Sequence, residues 1–135
     1  MKAASRKGRT VLLVEDDALN LELLQAVLEG RGFLVLAAGD ARTGIEMARR
    51  ELPDVVLMDI QLPEMDGLQA TRLLRADAAT AHIPVIAVTA HVKKDDEERC
   101  RAAGCDLHLP KPVDTRALPE VVARVIEAAA ARRTT

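Results

Sequence analysis

A chain of 135 residues, 49% of them apolar, makes one ordinary domain with enough core to exclude global disorder. A net charge of −2 and a single aromatic, Phe33, remove the basic footprint and the stacking platforms that direct nucleic-acid binding uses. Two cysteines, Cys100 and Cys105, are too few for a disulfide framework and point to a reduced, cytoplasmic protein; with only His108 nearby they also make a poor zinc site.

The basic start from Met1 to Arg9 leads into an apolar run that stops at Glu15, too short for a signal peptide. No later stretch approaches the roughly 20 apolar residues of a membrane span. Residues 1–9 therefore read as a flexible polar lead-in, 10–131 as the domain and 132–135 as a tail. The first strand, 10–14, carries Val11-Leu-Leu-Val14, an unbroken apolar run as in a strand buried on both faces, and ends in Glu15-Asp16-Asp17. A helix over 17–30 follows, closed by Gly30 and Gly32 as left-handed C-terminal positions. The second strand, 34–37, leads through Asp40, an N-cap, into a helix over 40–51. The third strand, 54–58, lies in Pro53-Asp-Val-Val-Leu-Met-Asp59. The turn residues of Leu62-Pro-Glu-Met-Asp-Gly67 join it to a helix over 66–77.

His82 is a solvated loop residue before the fourth strand, 84–88, which runs into Thr89 and Ala90. The next helix, 92–103, holds Lys93-Lys-Asp-Asp-Glu-Glu-Arg99, a charged face with i, i+4 pairs, and Gly104 closes it. The fifth strand, 106–109, is followed by Pro110-Lys111-Pro112. The last helix, 114–131, starts at Asp114 and carries Leu118, Val121, Val122, Val125 and Ile126 at helical spacing. Such strict alternation predicts a doubly wound α/β sandwich around a parallel sheet. What remains after Pro112 is one helix and a short tail, with no output domain expected.

Open α/β sheets do their chemistry at the carboxyl ends of the strands. Asp59 ends one strand and Asp16 and Asp17 follow another. Converging carboxylates repel by about 4 kcal/mol per pair at roughly 4 Å and an effective dielectric near 20, so either a carboxyl holds its proton or a cation is bound. Magnesium suits an all-oxygen set. Asp16 and Asp17 as plain helix caps are the simpler alternative. Lys111 shifts the balance: it follows the fifth strand between two prolines that restrict its backbone, and it can reach the same pocket. The hydroxyl of Thr89 adds a phosphate ligand at a fourth strand end.

In this order and spacing, Glu15-Asp16-Asp17, Met58-Asp59, Leu62-Pro-x-Met-Asp-Gly67, Thr89-Ala90 and Lys111-Pro112 resemble the receiver domain of two-component response regulators over residues 10–130. The resemblance implies a flavodoxin-like five-stranded sheet of order 2-1-3-4-5. It makes Asp59 the phosphoacceptor, charged from a histidine kinase or histidine phosphotransfer protein. It assigns magnesium (or manganese) to Asp16, Asp17, Asp59 and the backbone carbonyl of Gln61, and the phosphoryl group to Thr89 and Lys111. It further implies a cis Lys111-Pro112 peptide, tuning of dephosphorylation by Gln61 and His91, and donor docking on the first helix at Asn20, Leu21 and Leu24. A downstream protein target would read the surface of the fourth helix, fifth strand and fifth helix.

One position departs from the pattern. Three residues before the lysine the family carries Tyr or Phe as a switch, and here His108 stands there. It is either a polar substitute at a strand end or a pH-sensitive switch, since histidine as a residue type titrates near neutrality.

The expected function is a stand-alone phosphoacceptor module rather than an enzyme. A receiver excised from a hybrid histidine kinase is an alternative that the two ends of the chain speak against. An aspartyl-phosphate phosphatase of the haloacid dehalogenase kind expects Asp-x-Asp on its first strand, whereas Asp59 is on the third and Gln61 replaces the second acid. A flavodoxin would need aromatics to stack on its flavin.

Overall fold

The computed structural model describes residues 9–90 and 94–133. The expected lead-in up to residue 8, His91, and the last two residues of the tail lie outside that set. Five strands, β1 (Thr10–Val14), β2 (Leu34–Ala38), β3 (Val55–Asp59), β4 (Val85–Thr89) and β5 (Leu107–Pro110), alternate with α1 (Ala18–Glu29), α2 (Ala41–Glu51), α3 (Gly67–Ala76), α4 (Lys94–Ala103) and α5 (Leu118–Arg133). All strand pairs are parallel, in the order β2-β1-β3-β4-β5. The predicted fold class and strand order hold.

Alternation along each strand divides the core between two faces. Val11 and Leu13 of β1 pack with Val55 and Leu57 of β3 against Leu24 and Leu28 of α1 and Leu118 and Val122 of α5. Leu12, Val14, Val56 and Met58 point the other way, onto Ile45 and Ala48 of α2 and Ala70 and Leu74 of α3. Because both faces are covered, β3 and β4 are buried at every position.

Several local signals read in the sequence are met. Asp40 Oδ1 accepts the Thr43 N–H at 2.8 Å and caps α2. Gly32 and Gly104 take positive φ, at 91° and 105°. Gly30 does not: it caps α1 in right-handed conformation, φ −63°, and the left-handed turn comes at Gly32. The left-handed cap of α2 falls on Leu52, φ 47°, which lacks the glycine that would have marked it. Asp114 accepts the Arg116 and Ala117 N–H groups, so it caps a turn, and α5 begins at Leu118 rather than at 114.

Away from the strand carboxyl ends, Arg75 ties the structure together. Its guanidinium donates to the carbonyls of Ile83 at 2.6 Å and Gly104 at 2.8 Å and to Asp106 Oδ2 at 2.8 Å. Asp106 Oδ2 in turn accepts the Val85 N–H, so one ion pair joins α3, the start of β4 and the α4–β5 turn.

Candidate functional site

Parallel pairing brings every strand's carboxyl end to one edge, and the strand order reverses around β1, where open sheets bind ligands. Asp59 is the last residue of β3 and only 2% exposed. Glu15, directly after β1, is 4% exposed. Thr89, the last residue of β4, is buried, and Lys111 follows β5. The strand ends thus bring two acids, a threonine and a lysine to one edge of the sheet.

Lys111 Nζ lies 2.9 Å from Asp59 Oδ2 and 3.7 Å from Glu15 Oε1. The Lys111 N–H donates to the Thr89 carbonyl at 2.9 Å, and the Lys111-Pro112 peptide is cis. Burial alone would lower the lysine's pKa. The Asp59 hydrogen bond and the charges of Asp59, Glu15 and Asp16 outweigh it, so the ammonium is held above its usual range. Asp59 Oδ1 accepts the Gln61 N–H at 2.9 Å. The Gln61 side chain reaches across the pocket mouth, its Oε1 accepting the Ala90 N–H at 3.3 Å. Gly67 closes the floor: its N–H donates to the Ile60 carbonyl, and a Cβ there would press on the Asp59 carbonyl oxygen.

The acids group differently from the sequence expectation. Carboxylate oxygens of Glu15, Asp16 and Asp59 all lie within 4.8 Å of one another. Asp17 stands outside that group, because its Oδ1 accepts the Leu19 and Asn20 N–H groups as the N-cap of α1. Sequence reading places Glu15 at the end of the first strand but leaves it out of the cation's ligand set, although as the first residue beyond β1 it holds the position that best matches Asp59 at the end of β3. Glu15 is anchored by the Asn20 amide, 2.7 Å from Oε1, and by the Asp17 N–H, 3.1 Å from Oε2. Burial raises its pKa above 4.5, the Asp17 and Asn20 hydrogen bonds work against that rise, and the Asp59 carboxyl adds to it. Three clustered carboxylates, one of them reluctant to ionise, and an oxygen-only donor set fit a small hard cation.

Two further expectations meet the structure. Of the docking residues named on α1, Asn20 is half-exposed and lines the groove beside the pocket, whereas Leu24 is buried at 3% exposure and Leu21 packs on the core. Leu19 and Leu23, one turn apart, are exposed instead, at 78% and 52%. They flank a groove of about 510 Å³ that runs from Glu15 and Lys111 past Pro112 and Val113. His108 pairs with Ala87 in the sheet, and its Nε2 sits 3.3 Å from Glu97 Oε1 of α4.

The family described as "Response regulator receiver domain" matches residues 11–123. The polar-differentiation response regulator DivK of Brucella anthropi is 40% identical over 114 residues, 84% of this chain and 93% of DivK. The crystal structure of the receiver domain of a Pseudomonas aeruginosa sensor histidine kinase, with a magnesium ion coordinated in its active-site cleft, superposes with a TM-score of 0.82 at 36% identity, covering 89% of this chain and 98% of that one. A response regulator receiver domain protein (CheY-like) of Methanospirillum hungatei superposes with a TM-score of 0.85 at 26% identity, covering 92% and 98%.

Proposed function

Since the chain belongs to the response regulator receiver domain family, a family of signalling modules rather than turnover enzymes, we propose that it accepts a phosphoryl group on Asp59 from a histidine kinase or histidine phosphotransfer protein and thereby switches the binding of a downstream protein. The observation that carries this reading is Asp59 itself: a nearly buried carboxylate held at 2.9 Å by Lys111 and adjoined by two more acids.

A carboxylate oxygen of Asp59 attacks phosphorus; the new O–P bond forms as the P–N bond of the phosphohistidine breaks and the imidazole leaves. Glu15, Asp16 and Asp59, with the Gln61 carbonyl, would hold magnesium, and the receiver-domain structure from Pseudomonas aeruginosa holds that ion in its cleft. Bound magnesium supplies positive charge against the charge that develops on the phosphoryl oxygens. Lys111, 2.9 Å from Asp59 Oδ2, supplies a second positive charge, already oriented by its neighbours. Gln61 restricts water at the mouth, and the Ala90 N–H that it occupies becomes a donor to the phosphoryl group once the side chain yields. The Thr89 hydroxyl, drawn to the phosphoryl group, favours one of two conformations of the β4–α4 region. The donor docks beside Leu19 and Leu23, and the reaction takes place in the cytoplasm.

Incubation with acetyl phosphate and magnesium tests the reading. The expected product is a labile adduct of one phosphoryl group, seen by intact mass and absent from Asp59→Asn. Sustained turnover of a small phosphorylated substrate would point to an enzyme instead.

A further inference from the structure

Cys100 and Cys105 lie outside the phosphoacceptor pocket, and the way α4 ends brings them together. Gly104 turns the chain out of the helix at φ 105°. Its N–H donates to the Arg101 carbonyl, and the Cys105 N–H reaches back to the Cys100 carbonyl, both at 3.0 Å. This bond pair is the Schellman ending, in which the residue after the left-handed position packs on a residue in the helix's last turn. Here both of those residues are cysteines: Cys105 packs against the buried cluster that holds Cys100, and its thiol lies 3.9 Å from Thr71 Oγ1. Cys100 is buried and Cys105 half-buried, yet both line a surface groove of about 480 Å³ between α4 and β5. Glu97 and His108, which meet at 3.3 Å, line the same groove.

We infer that Cys100 and Cys105 form a modification site, a dithiol that hydrogen peroxide converts to an intrachain disulfide joining the end of α4 to the start of β5. Cys105, the more exposed, attacks first. Its thiolate takes one peroxide oxygen, the O–O bond breaks, and the departing hydroxide is protonated to water, leaving a sulfenic acid. The Cys100 sulfur then displaces the sulfenic oxygen as a second water while the S–S bond forms. Both sulfurs are oxidised, and one peroxide is reduced to two waters. In a reducing compartment such a bond is transient. Closure at the base of the groove fixes the two elements that the Glu97–His108 contact joins, so oxidation acts on the α4–β5 surface without touching Asp59. Burial, and then the neighbouring Cys100, push the Cys105 thiol up to about 11. Little of it is thiolate near neutrality, and closure is slow there and strongly accelerated by base.

Hydrogen peroxide treatment of the full chain, followed by iodoacetamide and mass spectrometry, tests the inference. The expected result is loss of two hydrogen atoms from the intact chain and protection of both cysteines from alkylation, reversed by dithiothreitol. Trypsin cuts after Arg101, so the two cysteines should leave on separate peptides that stay joined until reduced. The rate should rise roughly tenfold per pH unit between neutrality and pH 9. Cys105→Ser should abolish the mass loss, and if that variant does not fold, Cys100→Ala should do the same. Thiols that stay open to alkylation, a sulfinic acid on one cysteine, or bonds only between molecules would overturn it.

Discussion

Lys111 Nζ and Asp59 Oδ2 lie 2.9 Å apart although the two residues are 52 positions apart in sequence. Glu15 stands beside them, so one ammonium faces two nearly buried acids. Removing it leaves those acids uncompensated, a strongly destabilising change where the site is buried. With a quarter of the lysine side chain exposed, Lys111→Ala should cost about 1–3 kcal/mol in chelator. Added magnesium should shrink that deficit, because a bound cation replaces the missing charge. Urea unfolding with EDTA and with magnesium measures both. Phosphorylation by acetyl phosphate should fall at least about tenfold, the loss of one charge-stabilising donor.

Glu15 predicts the opposite sign. Glu15→Gln removes one of three clustered carboxylates, so the metal-free protein should gain on the order of 1 kcal/mol. The same variant should gain less than the wild type from added magnesium, since stabilisation by a ligand follows its affinity. A variant that is less stable than the wild type in EDTA would show that the acids do not strain the empty pocket.

Much of the architecture was legible because it rests on local signals that tertiary contacts reinforce. Unbroken apolar runs marked the strands of a doubly covered sheet, and acids and amines at their ends marked the pocket. What escaped depends on phase and on distant partners. The backbone after Val14 decides whether Glu15 or Asp17 turns inward, and α1 draws Asp17 to its first N–H groups. The rotation of α1 exposes Leu19 and Leu23 while burying Leu24, which leucine spacing alone leaves open. Leu52 carries no mark of its left-handed backbone. Nothing in Arg75 announces that it will bond carbonyls at Ile83 and Gly104.

Asp16 and Asp17, adjacent in sequence, should separate in function. Asp17→Ala removes the cap of α1 and should cost about 1 kcal/mol of stability with little change in magnesium affinity. Asp16→Ala should leave stability nearly unchanged in chelator and weaken magnesium binding by more than about tenfold, as loss of a carboxylate ligand does. Calorimetric titration with magnesium distinguishes the two. A comparable loss of affinity in Asp17→Ala would return Asp17 to the ligand set first expected, beside Asp16 and Asp59.

Gly67 is under the tightest steric constraint in the site. A Cβ would press on the Asp59 carbonyl oxygen and lie 2.9 Å from both Ile60 Cα and Met58 Cγ. Two of those three atoms are backbone and cannot rotate away. Gly67→Ala should therefore cost about 1–3 kcal/mol and slow phosphorylation by displacing the end of β3. Gly44→Ala also crowds a neighbour, with Val14 Cγ2 at 2.8 Å. That neighbour is a side chain away from Asp59, so the variant should keep the phosphorylation rate even where it loses stability. Chemical denaturation and acetyl phosphate kinetics on the pair separate the two effects.

Asp40 gives the pH dependence. The Thr43 N–H, and then the Thr43 hydroxyl, hold its carboxyl below 3.8. A depressed folded value means that the capping contribution is present above 3.8 and lost as pH falls through the lower folded value. Asp40→Ala should cost about 1 kcal/mol near neutrality, and the gap from wild type should close in acid. A gap that stays constant into acid would mean that the charged carboxylate adds nothing to the cap.

The exposed leucines of α1 test how the phosphoryl group arrives. Leu19 and Leu23 lie one turn apart beside the groove that opens onto Glu15 and Lys111. Neither supports the core, so Leu19→Ser and Leu23→Ser should each change stability by less than about 0.5 kcal/mol. Acetyl phosphate is too small to need a docking surface and should modify both variants at the wild-type rate. A protein donor that seats on this face should lose about 2 kcal/mol or more per central apolar contact, so transfer from a phosphorylated histidine phosphotransfer protein should slow by roughly thirtyfold at limiting donor. Leu24→Ala supplies the contrast: it empties a core position and should cost about 2–5 kcal/mol in stability without a selective loss toward the protein donor. Equal slowing with both donors would place the defect in the pocket, and no slowing with either would move the docking face off α1.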